Sequence, residues 1–331
     1  MGYSCSASQW FRKEREKLNT VDTKAIQNKN RVEIHKSSWI KKLLLSPNAL
    51  NIMYLPALLL FGLFIFYPLV KGIRISFTDW DGYSPTFNWI GWDKYTQMFT
   101  DKKIFITMKN TLIYGLGSTL FQNLLGLAYA LFLDQKIRGK GLVRTIVYLP
   151  VIISPLIMGY IWYFFFQYDG GAINDIRILF HQAPTDWLAN GPVAVGIITF
   201  VNTYQFMGVA MIIYLAGLQS IPKDYYEAAS IDGARWFARF QNVTLPLLMP
   251  SITINVVVNI IGGLKLFDVI VALTNGGPGY ASQSLSTMMY NLYFARQDAG
   301  YAAALGNVMF ILIGIVSLTL LRMLRKKEVS M

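Results

Sequence analysis

The sequence predicts an all-α membrane protein with about six transmembrane helices. Of its 331 residues, 54% are hydrophobic and only 15% are charged, and the mean hydropathy is +0.39. A water-soluble domain could not bury this much apolar surface. Six apolar runs are long enough to cross about 30 Å of hydrocarbon as helices, and none alternates as a barrel strand does. Their approximate bounds are 49–70, 106–133, 145–166, 192–218, 245–274 and 301–321.

The segments between these runs differ in charge. The N-terminal segment, the loops 134–144 and 219–244 and the C-terminal tail together carry 21 Lys and Arg residues, whereas the three other loops carry 7. Because Lys and Arg concentrate on the cytoplasmic side, both termini are predicted to lie in the cytoplasm, with the chain in the plasma or inner membrane. Anionic lipid head groups suffice as partners for the formal net charge of +12, so no nucleic acid is expected.

Two segments lie outside the predicted membrane domain, residues 49–321. Residues 1–48 form a basic, polar arm on the cytoplasmic side, and residues 322–331 form a basic tail. Within the arm, residues 37–47 (SSWIKKLLLSP) combine Trp and aliphatic residues with two lysines. This pattern suits either a helix lying in the membrane interface or a simple lead-in to the first span.

A polar insert, EAASIDGARWFARFQNVTLP at residues 227–246, separates the fourth and fifth runs. Asp224 can cap a short helix over residues 225–232, and Gly233 permits a left-handed turn after it. A second helix over residues 234–243 is predicted to lead to Pro246, which suits the start of the fifth span. The loop 222–244 is therefore predicted to be a cytoplasmic helix-turn-helix, with an ordinary amphipathic connector as the alternative.

The insert reads E-A-A-x3-G-x9-V-x-L-P, and this pattern resembles the cytoplasmic signature of the permease subunits of ATP-binding-cassette (ABC) importers. Val243 stands where isoleucine is usual. Three further segments are similar to the carbohydrate branch of that family: WIGWDKYTQMFTD (89–101), AGLQSIPKDYYEAASIDGA (216–234) and FDVIVALTNGGPG (267–279). The resemblance covers about residues 50–325 and leaves the N-terminal arm unmatched.

The resemblance implies a type I ABC importer permease fold, in which the insert is a coupling helix seated in a cytoplasmic ATPase. It assigns the coupling role to Glu227, Ala228, Ala229, Asp232, Gly233, Leu245 and Pro246. ATP and magnesium would bind an ATPase dimer, because the chain has no G-x-x-x-x-G-K-[ST] motif. The chain would thus be a transporter subunit without enzyme activity or a cofactor of its own.

Two more partners follow from the resemblance. One is a second, homologous permease subunit, with a heterodimer favoured. The other is an extracytoplasmic binding protein that docks at Asn275, Gly276, Gly277 and Pro278, although this turn-rich segment could also be a plain reversal between spans.

A solute path through an apolar bundle needs polar side chains within the spans. The candidates lie in the fourth and fifth runs: Asn202, Tyr204, Gln205, Asn255, Asn259, Lys265 and Asp268. Amides and aromatic rings suit sugar hydroxyls and pyranose faces. Amides also join membrane helices, and Lys265 could pair with Asp268 three residues later. An unpaired Lys265 would instead make an acidic saccharide plausible.

Other functions fit less well. A permease for another solute, such as glycerol phosphate, would keep the signature but not the segment 267–279. An ATP-independent secondary transporter would show internal repeats, and residues 49–166 and 192–321 show no convincing one. His35 and His181 lack thiol or carboxylate neighbours at ligand spacing, so no metal site is expected.

Overall fold

The computed structural model describes residues 47–136 and 138–328, with side chains described from residue 54 onward. Regular structure in these residues is helical, apart from a single antiparallel bridge between Thr78 and Trp89. The predicted all-α class is therefore confirmed. The predicted arm 1–48 and its helix 37–47 lie almost entirely outside the described residues, as do the last three residues of the tail.

The chain divides into two compact units, Met1–Lys71 and Gly72–Met331. From the N-terminal unit, α1 (Pro47–Phe61) passes through a π-helical turn (Gly62–Phe66) into α2 (Tyr67–Ile75), which crosses the boundary at Lys71. The Tyr67 N–H bonds to the Gly62 carbonyl, five residues back. The following residue, Pro68, has no N–H and would crowd the carbonyl four residues earlier, which favours the wider π turn.

The second unit contains all remaining described helices. They are α3 (Asp93–Thr100), α4 (Lys102–Asp134), α5 (Lys140–Ile152), α6 (Pro155–Phe166), α7 (Ala172–Leu179), α8 (Gly191–Ser220), α9 (Lys223–Ile231), α10 (Trp236–Arg239), α11 (Leu245–Leu247), α12 (Met249–Leu264), α13 (Asp268–Leu273), α14 (Leu285–Phe294) and α15 (Ala299–Arg325), with a π-helical turn at Phe240–Thr244.

Within the described residues, four helical segments are long and apolar enough to cross a membrane alone, namely Tyr54–Ile75, α4, α8 and α15. Two bent pairs, α5 with α6 and Trp236–Leu247 with α12, raise the number to six if each pair is one span. The last span is longer than the predicted 301–321. It continues through Arg322 and Arg325, so part of the predicted tail is helical.

The third predicted span, 145–166, is not one continuous helix. α5 and α6 meet at an angle of 100° around Ile153 and Ser154, whose backbones are extended. Pro155 follows, and proline disfavours the helical conformation in the residue before it. The prediction of continuity was wrong because unbroken hydropathy does not guarantee an unbroken helix.

The fifth predicted span, 245–274, also differs from the structure. The helix from Trp236 runs through Leu247, bends by 66° at Leu248 and continues as α12. The predicted helix start at Pro246 is therefore wrong. α12 ends at Leu264 after Gly262 and Gly263, and the three residues before α13 are not helical.

The bundle buries polar side chains among its helices and exposes large apolar side chains on its exterior. α4 packs most extensively against α8 and then α12, and Gln122, Asn202 and Asn255 are buried among these helices. Leu120 and Phe121 on α4 are exposed. This distribution suits a lipid surrounding, because lipid solvates apolar side chains and leaves polar ones to be satisfied inside.

Glycine allows the closest approach between α4 and α12. A Cβ added at Gly263 would lie 2.8 Å from the Gly115 Cα atom and 2.9 Å from the Tyr114 carbonyl oxygen. Small residues commonly permit such backbone contacts between membrane helices. The contact fixes the end of α12, where the backbone departs from the helix.

Candidate functional site

The non-helical segment after α12 forms one wall of a cavity of about 340 Å³. Gln122 of α4, Asn202 of α8 and Asn259 of α12 line it, together with Lys265, Phe267 and Asp268 from the end of α12 and the segment beyond it. Four residues predicted for the solute path, Asn202, Asn259, Lys265 and Asp268, thus meet at one site. The break in the fifth span brings them together, since it turns the chain across the faces of α4 and α8.

Two amide groups at this cavity have unused hydrogen-bonding capacity. The Gln122 Nε2 atom donates to the Asn202 carbonyl oxygen at 2.9 Å. The Gln122 Oε1 and Asn259 Nδ2 atoms have no partner among the described residues. Their side chains are only 2% and 6% exposed. A buried donor and acceptor without partners carry a desolvation cost that a polyhydroxylated ligand would offset.

Two charged side chains line the same cavity without pairing. In the described part of the chain, the one ion pair within 4.0 Å joins Lys94 and Asp298 at 2.8 Å. Lys265 and Asp268 are both exposed to the cavity space. The predicted Lys265–Asp268 pair is therefore not formed, because the helix ends between them and their i, i+3 spacing no longer places them on one face. Lys265 also lines a second, largely apolar cavity of about 470 Å³ against α15.

The other three predicted path residues make structural contacts outside this cavity. The Asn255 Nδ2 atom donates to the Ala210 carbonyl at 3.2 Å and joins α12 to α8. The Gln205 Nε2 atom donates to the Ile153 carbonyl at 2.9 Å, which satisfies a backbone group freed by the α5–α6 bend. Tyr204 packs edge-on against Trp162, with 5.5 Å between ring centroids.

Gln122 was missed by the sequence reasoning, which sought polar clusters in the fourth and fifth runs only. The sequence does show a glutamine in the middle of the second apolar run, and an unpaired amide at such a position is costly in lipid. Phe267 was likewise quoted only within a longer similar segment. Which polar residue of a span meets the cavity depends on helix packing, so spacing alone does not single it out.

The predicted helix-turn-helix forms a bracket, defined here as residues 223–247. α9 ends in a Schellman motif, in which the Gly233 N–H bonds to the Ser230 carbonyl at 3.1 Å and the Ala234 N–H to the Ala229 carbonyl at 2.9 Å. Gly233 has φ of +75°, the left-handed conformation that glycine favours. Pro222 occupies the N-cap and Asp224 the first turn, so the predicted capping by Asp224 was wrong.

The two arms of the bracket are joined by side chains. The Tyr226 and Thr244 hydroxyls lie 3.2 Å apart, and the Arg239 Nη1 atom donates to Ser230 Oγ at 3.2 Å. The predicted second helix, 234–243, is present, but it begins at Trp236, includes the π-helical turn and continues to Leu247. The Leu245 N–H reaches back five residues to Phe240, and Pro246 again follows.

The surface of the bracket separates the predicted coupling residues into two groups. Glu227, Ala228, Asp232 and Gly233 are exposed, whereas Ala229, Leu245 and Pro246 are half-buried. Three large apolar side chains also face outward, with exposed fractions of 86% for Ile231, 62% for Trp236 and 65% for Phe237. Exposed apolar groups on a polar hairpin mark an interaction surface.

The predicted binding-protein contacts lie in the loop between α13 and α14. Asn275 and Pro278 are exposed, Gly277 is half-buried and Gly276 is buried. Gly276 has φ of +85°, and a Cβ there would lie 2.6 Å from Gln283 Cγ. The loop thus presents some of the predicted residues and uses others to hold its own shape.

Comparisons with known proteins show the family and the fold of the chain. The family described as "Binding-protein-dependent transport system inner membrane component" matches residues 122–329. The chain is 36% identical over 273 residues to the multiple sugar-binding transport system permease protein MsmF of Streptococcus mutans, covering 82% of this chain and 93% of that protein. It is 32% identical over 262 residues to the trehalose/maltose transport system permease protein MalF of Thermococcus litoralis, covering 79% and 88%.

Solved structures show the same fold. A chain of a bacterial ABC transporter involved in the import of the acidic polysaccharide alginate superposes with a TM-score of 0.74 at 25% identity, covering 90% of this chain and 99% of that one. The predicted type I ABC importer permease fold is thereby confirmed. With more than half of its length matched by the family pattern, the chain belongs to the inner-membrane components of binding-protein-dependent transport systems.

Proposed function

We propose that the chain is the permease subunit of an ATP-driven importer that moves a sugar or oligosaccharide into the cytoplasm. The cavity carries this proposal, because Gln122 and Asn259, each with one amide atom that has no partner among the described residues, line it together with Phe267. Sugar sites combine amide hydrogen bonds with aromatic faces. The names of MsmF and MalF, which both refer to sugar transport, support the same solute class.

The bracket would be the contact through which the ATPase drives transport. Its exposed face, with Glu227 and Ile231, fits a cleft on a separate ATPase that binds ATP and magnesium. Two ATPases closing together would draw in the brackets of this chain and of a second permease subunit, most simply as a heterodimer. The membrane helices would then alternate between outward and inward openings as a two-state element biased by ATP.

The bracket also sets the proposed orientation. With the bracket in the cytoplasm, the loop between α13 and α14 faces outward, where a binding protein delivers solute. α15 then returns to the cytoplasm and ends with Arg322 and Arg325. Basic residues at that end agree with the charge bias of cytoplasmic segments.

The cavity is tested by removing its free polar atoms in the reconstituted importer with its ATPase and binding protein. Labelled trehalose, maltose and alginate oligosaccharide serve as trial solutes. Gln122→Leu and Asn259→Leu are each expected to raise the half-saturating solute concentration about tenfold, as the loss of one buried hydrogen bond implies. Ser317→Ala is the matched control, since it removes another buried, unpartnered polar atom outside this cavity. Normal uptake by both cavity variants would refute the proposal.

An acidic saccharide is the second candidate, favoured by one observation. Lys265 lines the cavity, and its ammonium group has no carboxylate within 4.0 Å in the part of the chain that is described. An alginate importer is also among the similar structures. Lys265→Gln should then weaken uptake of alginate oligosaccharide while sparing maltose. Equal effects on both solutes would exclude recognition of solute charge by Lys265.

A further inference from the structure

Hydrogen bonds join the loop between α13 and α14 to α4. The Asn110 Nδ2 atom donates to the carbonyls of Ala281 at 2.8 Å and Gln283 at 3.1 Å. The Tyr114 hydroxyl donates to the Ser282 carbonyl at 2.7 Å, and the Leu285 N–H donates to Thr111 Oγ1 at 2.9 Å. These four hydrogen bonds join the base of the loop and the start of α14 to α4.

Two cations meet at Tyr280 of this loop, where Tyr280 and Lys103 are half-buried and Arg296 is exposed. The Tyr280 hydroxyl receives the Arg296 Nη2 atom at 2.7 Å and the Lys103 Nζ atom at 3.2 Å. Both cations also lie against the Tyr280 ring, at 5.9 Å and 4.5 Å from its centroid. Lys103 comes from the first turn of α4 and Arg296 from the chain just after α14, so three separate segments converge here.

Neither cation of this group forms an ion pair within 4.0 Å with an acidic side chain of the described residues. Asp101 accepts the Lys103 backbone N–H at 2.9 Å, and Asp298 pairs with Lys94 at 2.8 Å. Neither lies within 4.0 Å of the Lys103 or Arg296 charge. The hydrogen bond from Lys103, followed by the charge of Arg296, lowers the pKa of the Tyr280 phenol. The group therefore favours a negative charge at the position of the phenol oxygen.

We propose that Lys103, Tyr280 and Arg296 form a docking clamp for an Asp or Glu side chain of the extracytoplasmic binding protein. The inference rests on the proposed function, which brings such a protein to this side of the membrane. An Arg fork and a Lys point charge match a carboxylate. The exposed Asn275 and Pro278 sit in the same loop and extend the contact beyond the clamp. Because hydrogen bonds already join the base of the loop to α4, binding costs little ordering entropy.

The clamp is tested in the assembled importer, in nanodiscs of zwitterionic lipid, together with its binding protein. The readout is ATPase activity as a function of binding-protein concentration. The double variant Lys103→Gln/Arg296→Gln is expected to raise the half-saturating concentration about tenfold and to flatten its dependence on salt, as loss of a charged contact does. Lys103→Arg keeps the charge and should retain the wild-type value.

The matched control is Lys102→Gln. Lys102 is exposed in the same helical turn and has no hydrogen bond or ion pair to another described residue. Equal half-saturation in this control and in the double variant would overturn the clamp. So would an effect seen only in anionic nanodiscs, because lipid head groups would then be the ligand. Failure of the binding protein to stimulate the wild-type complex would refute the proposed function instead.

Discussion

Gly233 offers the sharpest test of the bracket. Its φ of +75° lies in the left-handed region, and a Cβ there would meet nothing within 4 Å. A substitution therefore acts through backbone conformation alone, without a clash. For an ordinary residue the left-handed conformation costs about 1–2 kcal/mol, so Gly233→Ala should shift the local opening of the turn roughly 5- to 30-fold.

Hydrogen exchange of the Ala234 amide measures this shift directly, since that N–H closes the turn against Ala229. Exchange should accelerate in the order Gly, Asn, Ala, Val at position 233, because Asn tolerates the left-handed region and a β-branched residue does not. Uptake by the reconstituted importer should fall in the same order if the bracket transmits the ATPase motion.

Gly139 supplies a matched control in another loop. It has φ of +82° and equally open surroundings, so Gly139→Ala carries a similar conformational cost outside the bracket. Its uptake should stay close to the wild-type value. The reasoning would be refuted if Gly233→Asn and Gly233→Val were equally impaired, or if Gly139→Ala lost as much uptake as Gly233→Ala.

Two further predictions concern the coupling contact and the helix packing. Glu227→Lys should reduce ATP-dependent uptake by about tenfold or more while the protein still inserts, because an opposed charge at an interface is strongly unfavourable. Asp224→Lys, three residues earlier, is the control for reversing a charge at the start of the helix. Equal uptake in the two variants would show that Glu227 is not part of the contact. Gly263→Ala should destabilise the purified protein by about 1–3 kcal/mol through overpacking. Gly262→Ala should be neutral or slightly stabilising, because a Cβ added there has no neighbour within 4 Å. Thermal unfolding in detergent compares the two variants, and equal midpoints would contradict the close contact with Gly115.

The number and rough position of the spans could be predicted because hydropathy and length report directly on membrane crossing. The breaks at Ser154 and Lys265 were not predicted, although Pro155 and the Gly262–Gly263 pair were visible in the sequence. Hydropathy does not detect such breaks, since a bent segment is as apolar as a straight one. The left-handed turn at Gly233 was predicted correctly because it depends on local backbone preference.

For the predicted solute path, the sequence alone could not decide which polar residues line the cavity. Asn255 and Asn259 are four residues apart, and the sequence gives no reason to prefer either. In the structure Asn255 is covered by α8, while Asn259 lies nearer the break and opens into the cavity. Distinguishing them requires knowing which neighbouring helix covers each turn of α12, and that is a property of tertiary packing.

The helix from Trp236 through Leu247 can act as a lever within the bracket. It joins the turn at Gly233 to the 66° bend at Leu248, without an intervening break. Twelve residues at 1.5 Å each make a lever of about 18 Å. A rotation of about 10° at Leu248 therefore moves the Trp236 end of this helix by about 3 Å. A small change of angle at the start of α12 is thus linked to a larger displacement of the turn at Gly233.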